Sequence, residues 1–78
     1  MEQQQTEGLQ ALYARMGDYL AQQGVSIREQ AQALGISANT YSSRRKDDRY
    51  NVTDGMIQEL WAAFPGKLEG FPEKPPFQ

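Results

Sequence analysis

The sequence predicts an all-α fold: a compact domain of four helices followed by an extended, proline-rich tail. Apolar residues recur at spacings of three and four, as they do on one face of an α-helix. Serine or threonine precedes three of the apolar runs in N-cap position, and glycine or proline follows three of them. We therefore expect a helical domain over residues 1–64 and an extended or disordered tail over residues 65–78.

The first helix is expected from about residue 7 to residue 23. Gly24 follows it and is a natural left-handed stop. Gly8 and Gly17 lie inside the helix, where each weakens it by about 1 kcal/mol relative to alanine, so tertiary packing must hold it. The apolar stripe that does so comprises Leu9, Leu12, Tyr13, Met16, Tyr19 and Leu20.

The second and third helices are short and separated by a glycine. Ser26 and Glu29 have the spacing of a capping box at the start of the second helix, which ends at Gly35. Ser37 caps the third helix, which continues to about residue 46 or 47. The second helix turns Ile27, Ala31 and Leu34 inward, while Ile36 and Tyr41 anchor the turn and the third helix in the core.

The fourth helix begins after the cap Thr53 and stops at Pro65. Val52 and Ile57 stand at the spacing of a hydrophobic staple across its start. Its inward residues are expected to be Met56, Ile57, Leu60, Trp61 and Phe64. The tail that follows holds all 4 prolines of the chain and is not expected to be helical. Its Phe71 and Phe77 either belong to a disordered end or lie across a partner subunit.

Composition restricts the function classes. The 78 residues include no cysteine and no histidine, which removes the thiol nucleophile, the usual zinc ligands and the commonest general base. We therefore expect that the protein is not an enzyme and that it binds no metal ion or cofactor. The start of the chain is acidic and glutamine-rich, and no apolar run approaches the ~20 residues that span a bilayer. These features predict a cytoplasmic protein that does not enter membranes.

Charge is distributed unevenly, although the total is −2. Residues 1–25 and 51–78 are each net acidic, and only residues 26–50 are net basic. The cations of that stretch are Arg28, Arg44, Arg45, Lys46 and Arg49. A local basic face, rather than a basic total, is what contact with phosphates requires.

The layout of residues 26–49 is that of a helix-turn-helix, in which the first helix braces the second so that it can enter a DNA groove. With Tyr41 facing inward, the residues that face outward near the start of the third helix are Ala38, Asn39, Ser42 and Ser43. Asn39 can pair bidentately with adenine, serine hydroxyls suit several bases, and Ala38 can pack on a thymine methyl group. Tyr50 lies beside Arg49 in the next loop and either packs there or contacts a phosphate.

Residues 26–64 resemble the Cro/repressor-like (XRE-type) helix-turn-helix family of small phage, prophage and plasmid transcriptional regulators. The resemblance rests on Ala31, Gly35, Ile36 and Tyr41, then a polar loop, then an apolar helix with Ile57, Leu60 and Phe64. It implies a repressor that binds double-stranded DNA sequence-specifically, as a homodimer on a pseudo-palindromic operator. By position, base contacts would fall on Ala38, Asn39, Ser42 and Ser43, and backbone contacts on Ser37, Thr40, Arg44, Arg45, Lys46 and Arg49.

Two positions depart from the family pattern. Gln30 stands where an apolar residue usually precedes the alanine, and Arg44 stands where the last inward residue of the third helix is usually apolar. If the third helix is shortened or rotated at Arg44, the assignments from Ser42 onward change. Two alternatives stay open: the helix pair is an ordinary hairpin of a small bundle, or the protein is an interaction module with a vestigial helix-turn-helix. Such a module would bind a protein partner through its acidic ends, the fourth helix and the tail.

Overall fold

A computed structural model describes residues 2–47 and 49–73 of the chain. The described part contains five helices and no strand. They are α1 (Glu2–Gln22), α2 (Ile27–Leu34), α3 (Ala38–Lys46), α4 (Asp54–Ala63) and α5 (Pro65–Leu68). The all-α prediction is confirmed, but the count of four helices was one too low. Helix α1 also starts five residues before the expected residue 7, within a run of glutamine and glutamate that favours helix.

The predicted helix caps form as the local sequence indicates. Ser26 and Glu29 make both hydrogen bonds of the capping box, Glu29 N–H donating to Ser26 Oγ at 3.1 Å and Ser26 N–H to Glu29 Oε1 at 2.9 Å. Ser37 and Thr53 each accept a hydrogen bond from the backbone N–H three residues later. Gly35 has φ of 73°, in the left-handed region that glycine adopts without strain. The α2–α3 turn is therefore specified by local interactions.

Helix α1 forms the centre of the fold and packs against each of the other helices. The buried apolar core joins the predicted stripe of α1 to residues from the remaining helices and loops: Leu12, Tyr13, Met16, Leu20, Val25, Ala31, Tyr41, Val52, Ile57, Leu60 and Leu68. Met56, Trp61 and Phe64 are only partly buried at its edge. Val52 and Ile57, the predicted staple pair, are both inside this core.

The beginning of the tail folds back onto the domain, which corrects the predicted boundary at residue 64. Pro65 ends α4 but also starts α5, because proline suits the first turn of a helix, where its missing N–H is not needed. Leu68 is fully buried, and the ring of Phe71 packs edge-on against Tyr19 and Trp61. Phe71 therefore packs on its own domain and does not belong to a disordered end. Phe77 lies outside the described residues.

An ion pair holds the end of this folded tail. Glu73 accepts hydrogen bonds from Nε and Nη2 of Arg15 on α1, at 2.5 and 2.6 Å. The Arg15 guanidinium holds the pKa of Glu73 below its usual value of 4.5. Both side chains are more than a third exposed, so solvent screens the pair and its contribution to stability is small.

Candidate nucleic-acid interface

Helix α3 presents a polar row to its surroundings. Asn39, Ser42, Ser43 and Lys46 stand at spacings of three, four and seven, so they lie along one side of the helix. We call these four residues the outer row. Asn39 and Lys46 are exposed and the two serines are half-buried. Ala38, at the first turn, is also exposed. The residues predicted to read bases thus lie together on the outward half of α3.

The hydroxyl groups of Ser37 and Thr40, at the start of α3, form a hydrogen bond with each other. Ser37 Oγ accepts from Thr40 N–H at 3.0 Å and donates to Thr40 Oγ1 at 2.9 Å. Both side chains remain beside the helix N-terminus, where backbone N–H groups favour negative charge. Their predicted role as contacts to the DNA backbone is compatible with this geometry, since Ser37 is exposed and Thr40 half-buried.

Arg45 does not lie on the surface, where a contact to phosphate would require it. Its side chain is 6% exposed, and NH2 donates to Asp18 Oδ1 on α1 at 2.7 Å. The guanidinium carbon stands 5.5 Å from the ring centroid of Tyr41, one turn earlier on the same buried face. The prediction that Arg45 contacts DNA is therefore corrected: it is a core residue. Its position four residues after Tyr41 puts it inward, whereas Arg44 was expected to occupy that position.

Tyr41 is fully buried, as predicted. Its ring packs edge-on against Tyr13 with centroids 5.9 Å apart. Burial is the main cause of a raised pKa for the hydroxyls of both Tyr13 and Tyr41. Both phenols are therefore neutral throughout the physiological range.

Gln30 is the polar residue whose role the sequence did not reveal. It is fully buried, and its Nε2 donates to the backbone carbonyls of Gly17 at 3.1 Å and Val25 at 2.9 Å. Its Oε1 accepts a short hydrogen bond from the hydroxyl of Tyr41. Helical spacing from Ile27 and Leu34 places residue 30 on the inward face of α2. That spacing was the available signal, but the polar character of glutamine argued against it.

Side-chain hydrogen bonds hold the start of the loop that follows α3. Gln10 on α1 donates from Nε2 to the carbonyls of Arg44 at 3.2 Å and Asp47 at 2.6 Å, which caps the end of α3. The Asp47 carboxylate accepts from the backbone and the guanidinium of Arg49, and this pairing lowers the pKa of Asp47. Gln10 is a second residue that sequence reasoning missed, because its partners are far away in the chain.

Basic and aromatic groups surround this loop. The side chain of Arg49 is 91% exposed despite its pairing with Asp47, and Tyr50 is 36% exposed. The guanidinium of Arg44 is half-buried beside the hydroxyls of Tyr13 and Tyr50. Of the predicted backbone contacts, Lys46, Arg49 and Tyr50 are thus accessible, and Arg44 is partly so.

Comparisons with protein-family models, curated proteins and solved structures find no match to this chain. In the part that the structure describes, no cluster of acidic, cysteine or histidine side chains has the arrangement of a metal site. Nor is any of its helices long and apolar enough to span a bilayer.

Proposed function

We propose that the protein is a small regulator that binds double-stranded DNA sequence-specifically, with α2 and α3 as a helix-turn-helix and α3 as the helix that enters the major groove. The observation that carries the proposal is that α3 has one buried face and one polar, accessible face. It buries Tyr41 and Arg45 against the domain and leaves Asn39 and the rest of the outer row on the opposite side. A helix that reads base edges needs small polar side chains there, with carboxamide and hydroxyl groups that exchange hydrogen bonds with bases.

The charges next to the outer row support phosphate contact. Lys46 ends the row, and Arg49 and Tyr50 follow in the adjoining loop. In this proposal, Lys46 and Arg49 contact the phosphates that flank the groove. Asp47 holds the Arg49 side chain by two hydrogen bonds, at 3.1 and 3.0 Å, and so restricts its orientation before any ligand binds. The acidic total charge of the chain weakens long-range attraction but leaves these short-range contacts intact.

A homodimer on a pseudo-palindromic operator completes the proposal. A single copy of α3 offers only a few side chains to base edges, and each mismatched base pair costs only about 1–3 kcal/mol. Two copies related by a two-fold axis double that number. Their half-sites would then be separated by about one helical turn, roughly 34 Å.

The first experiment selects duplexes from a random pool with the full chain, and measures retardation of the enriched duplex and of random duplex over a range of salt concentrations. We expect Asn39→Ala to reduce the preference for the enriched duplex about tenfold, because one bidentate base contact is lost. The salt dependence should stay nearly unchanged. Gln58→Ala is the matched control, since it removes the same group from an exposed position on α4.

Lys46→Ala tests the phosphate contact separately. It should weaken binding to both duplexes alike and reduce the slope of log affinity against log salt by about one contact, roughly 0.9. Lys67→Ala on α5 removes one exposed ammonium group outside the proposed interface and is the control. No retardation of any duplex at low salt, from the monomer or a dimer, would refute the proposal and favour a protein-interaction module.

A further inference from the structure

Polar groups help to hold the inner side of α3, beside the packing of the Tyr41 ring on Tyr13. Tyr41 and Arg45 are the two buried residues of α3. Each carries its polar group at the end of the side chain. They stand one turn apart on the same face, with the guanidinium over the tyrosine ring. The position of α3 on the domain therefore depends on what the Tyr41 hydroxyl and the Arg45 guanidinium contact.

Tyr41 links α3 to both preceding helices through one amide. Its hydroxyl donates to Oε1 of Gln30 on α2, and Nε2 of Gln30 donates to carbonyl oxygens of Gly17 on α1 and Val25 in the loop after it. Only the nitrogen end of the amide can donate to two carbonyls. The orientation of the amide is thereby set, and its oxygen must face Tyr41. All the polar atoms of this buried side chain have partners.

Arg45 links the other end of α3 to α1. Its NH2 group contacts Asp18 Oδ1 at 2.7 Å and the carbonyl of Ala14 at 3.4 Å. The approach is close because residue 17 is glycine: a Cβ atom there would lie 2.8 Å from Arg45 Nε. The Asp18 side chain is itself 68% exposed, so it can be replaced without opening the core.

Hydrogen bonds restrict both distance and angle, whereas the hydrophobic effect is non-directional. We propose that the contacts Tyr41–Gln30 and Arg45–Asp18 set the orientation of α3 on the domain, which makes these four residues positioning residues for DNA specificity although none of them touches the duplex. This inference rests on the proposed function. According to this inference, the outer row reaches the correct base edges only while the Tyr41–Gln30 and Arg45–Asp18 contacts are intact.

Two variants remove one contact each. Tyr41→Phe deletes the hydroxyl but keeps the buried ring, and Tyr19→Phe is its control, because Tyr19 faces Phe71 rather than α3. Asp18→Ala deletes the carboxylate at an exposed position, and Glu69→Ala, also exposed, controls for the lost charge. The probes are the duplex that the wild-type chain enriches from a random pool and a random duplex of equal length.

We expect each variant to lower the ratio of affinities for the enriched and random duplexes by about two- to tenfold, the factor that corresponds to one net hydrogen bond. Affinity for random duplex should change less than the ratio does, and neither control should change the ratio. If affinity for both duplexes falls by the same factor, the residues only stabilise the fold and the inference is wrong.

A measurement on the free protein separates this inference from the proposed function. Residual dipolar couplings of backbone amides report the orientation of α3 relative to α1. In both variants, the couplings of α3 should depart from the wild-type orientation while those of α1, α2 and α4 still fit it. Unchanged α3 couplings would overturn the positioning role even if no duplex is bound. Changed couplings in a chain that binds no DNA would refute only the proposed function.

Discussion

Gly17→Ala provides the most direct test of how α1 and α3 pack. Gly8 and Gly17 both lie inside α1, so replacing either with alanine gains the same intrinsic helix propensity, about 1 kcal/mol. The surroundings differ. An added Cβ at Gly8 would meet nothing within 4 Å. At Gly17 it would lie 2.8 Å from Arg45 Nε and 3.1 Å from the hydroxyl of Tyr41.

The expected magnitudes follow from these distances. Gly8→Ala should stabilise the protein by about 1 kcal/mol. Gly17→Ala adds an overpacking cost of about 1–3 kcal/mol, because the atoms it meets are held by Asp18 and Gln30 and cannot simply swing away. We therefore expect a net destabilisation of about 1 kcal/mol for Gly17→Ala. The difference between the two variants cancels the propensity gain and measures the overpacking cost directly.

Urea unfolding followed by far-ultraviolet circular dichroism measures both free energies. Thermal midpoints should move in opposite directions, by about 4–8 °C for each 1 kcal/mol in a domain of this size. Introducing Gly17→Ala into an Arg45→Ala background should make it less destabilising, since the guanidinium is then absent and only the Tyr41 hydroxyl, 3.1 Å from the added Cβ, remains. If Gly8→Ala and Gly17→Ala stabilise the otherwise unchanged protein equally, then α1 and α3 are not in close contact at Gly17.

Three further predictions concern the tail and the buried phenols. Leu68→Ala should destabilise the whole domain by about 2–5 kcal/mol in urea unfolding, because Leu68 is fully buried; no loss would mean that the tail is not part of the core. Alkaline unfolding should begin above pH 10, since folded Tyr13 and Tyr41 have raised pKa values and their stabilising contribution is lost as pH rises through them; circular dichroism and tyrosinate absorbance should change together. Glu73→Gln should remove a small stabilisation, measured by urea unfolding, that is present above about pH 4.5 and lost as pH falls further; the same pH dependence in the variant would exclude the Arg15 pair as its cause.

The helices and their ends could be predicted because the signals are local. The capping box at Ser26 and the caps Ser37 and Thr53 each join a side chain to a backbone group three residues away. Gly35 adopts the left-handed conformation that the turn requires. Pro65 misled the prediction, since the same residue that stops one helix can begin the next. Whether the chain leaves the domain at Pro65 or starts a new helix there is decided by the burial of Leu68.

Helical spacing predicted which side of α3 is exposed, but it did not predict that Arg45 is buried. Exposure of Asn39 and burial of Tyr41 both follow from helical spacing after the cap. The same spacing puts Arg45, four residues after Tyr41, on the inward face, but the prediction had given the inward position to Arg44 and a phosphate contact to Arg45. What overrides that expectation is a carboxylate 27 residues earlier, on α1, together with the space that Gly17 leaves.

By itself, the sequence determined the class of the fold, the starts of α2, α3 and α4, the turn at Gly35 and the side of α3 that faces out, since each depends on residues within one or two helical turns. Tertiary structure alone decided that Gln30 and Arg45 are buried and that the tail packs on α1. The energy of a polar or charged side chain depends on whether a partner is available. Apart from the carbonyl of Val25, five residues before Gln30, the hydrogen-bond partners of Gln30 and Arg45 lie 11 to 31 residues away in the chain and meet them only once the helices have packed.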